Sequence, residues 1–183
     1  KEGSQYYIYL DDGDKETREV SISLAEKGFA QVSLDNVNTY YSGGSYRMAL
    51  KNDGTVWAWG SNSYGVFGNG TTVDSDLPIQ VPIDNVKKLC LEDNYVVALK
   101  NDGTVWTWGR NNYSQLGDGT NVDKNVPIKV NISDVKDIFA GDSTVLALKN
   151  DGTLWGWGRN SYGQIGCGYT NVEKTPRQAN ITN

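Results

Sequence analysis

Histidine is absent from this 183-residue chain, and cysteine, methionine and proline are scarce, with two, one and four residues. Histidine is the side chain that most often does general acid–base work near neutral pH, so its absence removes the commonest catalytic group. Cys90 and Cys167 have no obvious base beside them to generate a thiolate nucleophile. They read as two free thiols, Cys90 at a strand position and Cys167 in a loop. No apolar run approaches the ~20 residues of a membrane-spanning helix. Basic residues form no cluster: 17 Lys and Arg are scattered among 22 Asp and Glu, for a net charge of −5. Nucleic-acid binders normally carry a basic patch or stripe, so that class of partner is not expected. The acidic run Asp11, Asp12, Gly13, Asp14 lacks the spacing of a calcium loop and reads as a hairpin turn. The expectation is therefore a non-enzyme with no catalytic residue, metal, cofactor or membrane span.

Glycine and aromatics are plentiful: 21 Gly, 11 Tyr and six Trp. All six Trp lie in three copies of one twelve-residue stretch, at 49–60, 98–109 and 147–158. The middle copy reads A-L-K-N-D-G-T-V-W-T-W-G, and the copies recur every 49 residues without insertion. A fixed period of this length marks a solenoid, propeller or array of supersecondary units. The units run 35–83, 84–132 and 133–183, after a poorly matching segment, 1–34. That segment carries β-type alternation at 5–10, 17–24 and 28–34 and reads as a degenerate blade.

Unit 2 shows the pattern. Strands are predicted at 86–91, 95–100, 104–109 and 126–130, the last an edge because Pro127 cannot donate to a ladder. Gly103, like Gly54 and Gly152, supplies the positive φ of a tight Asp-Gly turn. Four short antiparallel strands per unit is the composition of a propeller blade, so the fold is all-β. Within each Trp pair (Trp57 and Trp59, Trp106 and Trp108, Trp155 and Trp157) the two residues are two apart and share a face. The opposite face carries small or apolar residues, so both faces are expected to be covered, with the small residues making room for the neighbouring blade.

These residues resemble the repeat of the regulator of chromosome condensation family. The match runs through D-G-T-L-W-G-W-G at 151–158 and N-S-Y-G-Q-I-G-C-G at 160–168, with sister copies at 62–70 and 111–119. Departures are Tyr46, Tyr95 and Thr144 at the family's His, Ser114 at a Gly and Val66 at a Gln. Members usually form seven-bladed rings, and they include exchange factors for the GTPase Ran and bacterial proteins such as a β-lactamase inhibitor. Three blades cannot close a ring, which implies a piece of a longer array or self-association that covers exposed blade faces. A bacterial source, secreted or at the cell surface, fits the composition better than a cytoplasmic one.

In a four-strand meander the first and third loops emerge at one end, and these loops differ most between units. Variable loops on a rigid scaffold carry specificity. A protein partner is therefore expected at Glu92, Asp93, Asn94, Asp142 and Ser143 near the axis, and at Asp74, Asp123 and Lys124 further out. The alternatives are a guanine nucleotide exchange factor, implied by the resemblance, and a structural module of a bacterial surface or secreted protein.

Overall fold

The structure is a computed structural model that describes residues 20–22, 32–92 and 94–181. The strands and acidic turn expected before residue 20 lie outside this range. Two short strands, β1 (Val20–Ile22) and β2 (Val32–Leu34), pair antiparallel. Three sheets of four antiparallel strands follow, each in simple meander order. Unit 1 has β3 (Val37–Gly43), β4 (Tyr46–Lys51), β5 (Val56–Gly60) and β6 (Ser75–Gln80). Unit 2 has β7 (Val86–Leu91), β8 (Tyr95–Lys100), β9 (Val105–Gly109) and β10 (Lys124–Lys129). Unit 3 has β11 (Val135–Gly141), β12 (Thr144–Lys149), β13 (Leu154–Gly158) and β14 (Glu173–Gln178).

The first two strands of unit 2 fall where the alternation predicts. The fourth begins two residues earlier than expected, at Lys124, and Pro127 does lie in an outermost strand. Gly54, Gly103 and Gly152 hold φ values of +81°, +77° and +85° in their Asp-Gly turns. In units 1 and 2 the turn glycine also accepts from the next unit: Val86 N–H donates to Gly54 C=O and Val135 N–H to Gly103 C=O, at 3.0 and 3.1 Å.

Cross-strand pairing places Leu89, Val96, Ala98, Trp106 and Trp108 on one face of unit 2, and Tyr95, Val97, Leu99, Val105 and Thr107 on the other. The first face joins Met48, Leu50, Val56, Ala58 and Phe67 of unit 1 in one buried cluster. The second joins Ile138, Val145, Ala147 and Trp157 of unit 3 in another. Both sides of the middle sheet are thus covered by apolar packing, the main favourable term in such a stack. The matching outer face of unit 3 is more open: Leu146, Leu148 and Leu154 are only half-buried, where Leu50, Leu99 and Val105 are buried.

Ala58, between Trp57 and Trp59, lies in the cluster shared with unit 2, while Thr107 and Gly156 also meet their own unit. A Cβ on Gly156 would lie 2.8 Å from Leu146 and 2.9 Å from Ile165, both in its own unit. Thr107 Oγ1 donates to Leu116 C=O at 2.7 Å, again in its own unit. At Thr107 and Gly156 the small residue meets the unit's own third loop, and the three third loops supply Phe67, Leu116 and Ile165 to the core.

Candidate protein-binding face

Each third loop is closed by one buried asparagine. Asn111 Oδ1 accepts the Leu116 amide at 3.0 Å, and its Nδ2 donates to the carbonyls of Thr120 and Val122 at 3.2 Å. Asn62 and Asn160 repeat the arrangement, accepting from Phe67 N–H and Ile165 N–H. All three asparagines are fully buried. A buried amide with every group paired holds a loop to one geometry at little net cost. This role was not read from the sequence. The signal for it was the return of Asn at 62, 111 and 160 immediately after the Trp-Gly strand.

The two members of each Trp pair are unlike. Trp108 and Trp157 are fully buried, and each donates to the preceding unit's third loop. Trp108 Nε1 reaches Val66 C=O at 2.6 Å and Trp157 Nε1 reaches Gln115 C=O at 3.0 Å. Trp106 and Trp155 are half-buried at the opposite end, where they donate to Thr104 and Thr153 of their own turns.

First and third loops do meet at one end of the array. Between units 2 and 3 they enclose a hollow of about 150 Å³, lined by Glu92, Asn94, Arg110, Tyr113, Asp142 and Ser143 among others. Asp142 receives Arg159 Nη1 at 3.2 Å. Ser143 holds φ +63°, and its carbonyl accepts from Arg159 N–H. Glu92 C=O accepts the Tyr46 hydroxyl at 2.7 Å, which ties unit 1 to this loop. Tyr95 makes a longer contact of the same kind, 3.4 Å to Thr144 C=O, and burial pushes its phenol pKa upward. Asp93 lies outside the described residues.

The outer candidates have structural tasks. Asp74 and Asp123 accept the backbone amides of Asn62 and Asn111, both at 2.7 Å. Lys124 pairs with Asp118 at 3.3 Å. Burial pushes the Asp118 carboxyl up, but hydrogen bonds from the side chain and backbone of Thr120, then from Lys124 and Asn111, outweigh it and hold the pKa below the usual value.

Tyrosine and arginine alternate across this end. Arg110 lies 5.0 Å from the Tyr64 ring, and Arg159 lies 5.5 Å from Tyr113 and 5.9 Å from Tyr162. Tyr113 and Tyr162 are 42% and 82% exposed, far more than the tyrosines of the core. These five residues were missed by the sequence reading, although each type recurs at the 49-residue period.

Both cysteines are free thiols, Cys167 buried and Cys90 half-buried. Burial pushes the Cys90 thiol pKa up, away from thiolate reactivity. Among the described residues no three His, Cys, Asp or Glu side chains converge on a point, and no helix is long and apolar enough to cross a membrane.

Three stacked four-stranded antiparallel meanders define a β-propeller array. The regulator of chromosome condensation (RCC1) repeat matches residues 53–99, 102–148 and 151–183, and a second form of it matches 135–164. The chain belongs to that family. Among solved structures it is similar to Prp20p of Saccharomyces cerevisiae, described for its binding to Gsp1p and histones, with 22% identity and a TM-score of 0.69. That match covers 81% of this chain and 39% of Prp20p. The yeast protein bound to Kap60 gives 21% identity and a TM-score of 0.70, covering 85% of this chain and 40% of that one. Human WBSCR16 gives 23% identity and 0.68, covering 86% and 40%. This chain spans about two fifths of the length of each. No curated protein sequence matches it.

Proposed function

We propose that this array is a non-catalytic scaffold that binds a protein partner through the end where first and third loops meet. The observation that carries this reading is the line of Tyr64, Arg110, Tyr113, Arg159 and Tyr162 on loops held by buried asparagines. Tyr and Arg are the residues most enriched where protein interfaces concentrate binding energy. A rigid loop loses little entropy on binding, so such contacts convert efficiently to affinity. Glu92, Asn94, Asp142 and Ser143 supply polar groups beside that line, while Asp74, Asp123 and Lys124 support it from behind. The Prp20 structures, described with Gsp1p, histones and Kap60, support a protein partner in kind.

The test is affinity capture from extract of the source organism, followed by a quantitative binding isotherm for each protein recovered. Replacing Tyr113 and Tyr162 with serine should weaken a specific partner about tenfold or more, as loss of aromatic anchors does. Unchanged binding of every captured protein would refute the assignment of this face. The exchange-factor alternative rests on family membership, and accelerated nucleotide release from a small GTPase would establish it.

A further inference from the structure

At the end of the array away from the loop face, the two boundaries between units form grooves at the same phase of the repeat. One, of about 540 Å³, is lined by Gln80, Ile83, Asp84, Lys100 and Trp106 among others. The other, of about 490 Å³, is lined by Lys129, Ile132, Ser133, Lys149 and Trp155 among others. In both, a lysine ammonium lies over a half-buried indole, Lys100 at 5.5 Å from Trp106 and Lys149 at 5.7 Å from Trp155. Their charge balance differs. Lys100 Nζ bonds Asp84 Oδ1 at 2.7 Å, so the first groove carries its own counter-ion. The residue at that phase in the second groove is Ser133, whose hydroxyl turns to Asp134 at 2.9 Å. Gln80 is likewise replaced by a second amine, Lys129. Asp102 and Asp151 on the adjacent turns accept from Thr104 and Thr153 at 2.7 and 2.6 Å, and act on Lys129 and Lys149 through charge alone, without a direct ion pair. The described lining of the second groove holds two lysines, an indole and Ile132, and the nearby carboxylates of Asp134 and Asp151 bond Ser133 and Thr153 rather than pairing with Lys149 as Asp84 pairs with Lys100.

We propose that the Trp155 groove binds an acidic segment of a partner protein. One carboxylate of that segment sits against Lys149 in the place Asp84 holds against Lys100, and a neighbouring apolar side chain lies on Trp155 and Ile132. The indole and isoleucine floor favours a peptide, whose acidic groups come with hydrocarbon stems, over a bare anion. The net charge of −5 opposes a long polyanion. This site is separate from the loop face and stands without it.

The experiment is an NMR titration of the intact chain that follows the indole N–H signals of Trp106 and Trp155. The probe is a blocked peptide of alternating glutamate and leucine, with inorganic phosphate run in parallel. The peptide should shift Trp155 saturably and leave Trp106 in place. Ser133→Asp restores the internal counter-ion at an exposed position and should weaken binding about tenfold, as the loss of one charge-assisted contact does. Asp84→Ser opens the other groove and should bring Trp106 into the response. The proposal is overturned if Trp155 shows no saturable shift, if Ser133→Asp binds as tightly as the parent, or if phosphate moves the same signals as strongly as the peptide.

Discussion

Replacing Asn111 with alanine tests whether the third loops are held ready or only follow the strands that flank them. Asn111 is fully buried, accepts from the Leu116 amide, and donates to Thr120 C=O, Val122 C=O and Asp118. Alanine removes all of these contacts and leaves the Leu116 N–H in the core with no partner. An unpaired buried amide costs about 1–3 kcal/mol, and the two carbonyls, nearer to water, add about 1 kcal/mol between them. The expected loss is about 2–4 kcal/mol, well beyond the roughly 0.5 kcal/mol of an ordinary surface change. Asn121→Ala, exposed in the same loop, is the surface control. Urea unfolding gives the overall loss. Hydrogen exchange localises it, because the Leu116 amide should lose protection before the strand amides do. A loss below about 1 kcal/mol, or unchanged protection at Leu116, would refute the account of the loop. If the account holds, Asn111→Ala should also weaken partner binding at the loop face without touching a contact residue.

Three further outcomes follow from the same geometry. Leu99→Ala, between units 2 and 3, should cost about 2–5 kcal/mol, whereas Leu148→Ala on the more open face of unit 3 should cost less than about 2 kcal/mol. Equal costs by denaturant titration would contradict that difference. Gly109 has φ +103° and its added Cβ would lie 2.5 Å from Asn94 C=O, so Gly109→Ala should cost more than about 2 kcal/mol. Gly152, at φ +85° with nothing within 4 Å, should lose only about 1–2 kcal/mol on the same change. The depressed pKa of Asp118 means that its ionised form stabilises the fold above the unfolded-state value of about 3.9, and that this stability fades as pH falls through the lower folded value. The gap between wild type and Asp118→Asn should therefore shrink in unfolding curves taken at successively lower pH below about 4, and a constant gap would exclude the linkage.

The 49-residue period, with four strands' worth of alternation inside each unit, determined the architecture. Register, turn glycines and the edge proline follow from spacing, because strand alternation and positive φ are local properties of the chain. Which neighbour each face meets is not local. The spacing of Trp106 and Trp108 puts both on one face, yet only the fold sends Trp108 to the carbonyl of Val66 and leaves Trp106 half-buried beside Lys100. Spacing also does not show that Thr107 and Gly156 meet the unit's own returning loop. The loop-face candidates divided in the same way. Asp74 and Asp123 resemble free loop tips in sequence, because the amides they accept lie 12 residues away across a loop. Tyr113 and Arg159 stand in different units, 46 positions apart, and come within 5.5 Å only because the blades stack. Ser133 and Asp84 differ by a single substitution in the sequence, and only the groove between blades shows that the difference removes the direct ion pair that Lys100 has and Lys149 lacks.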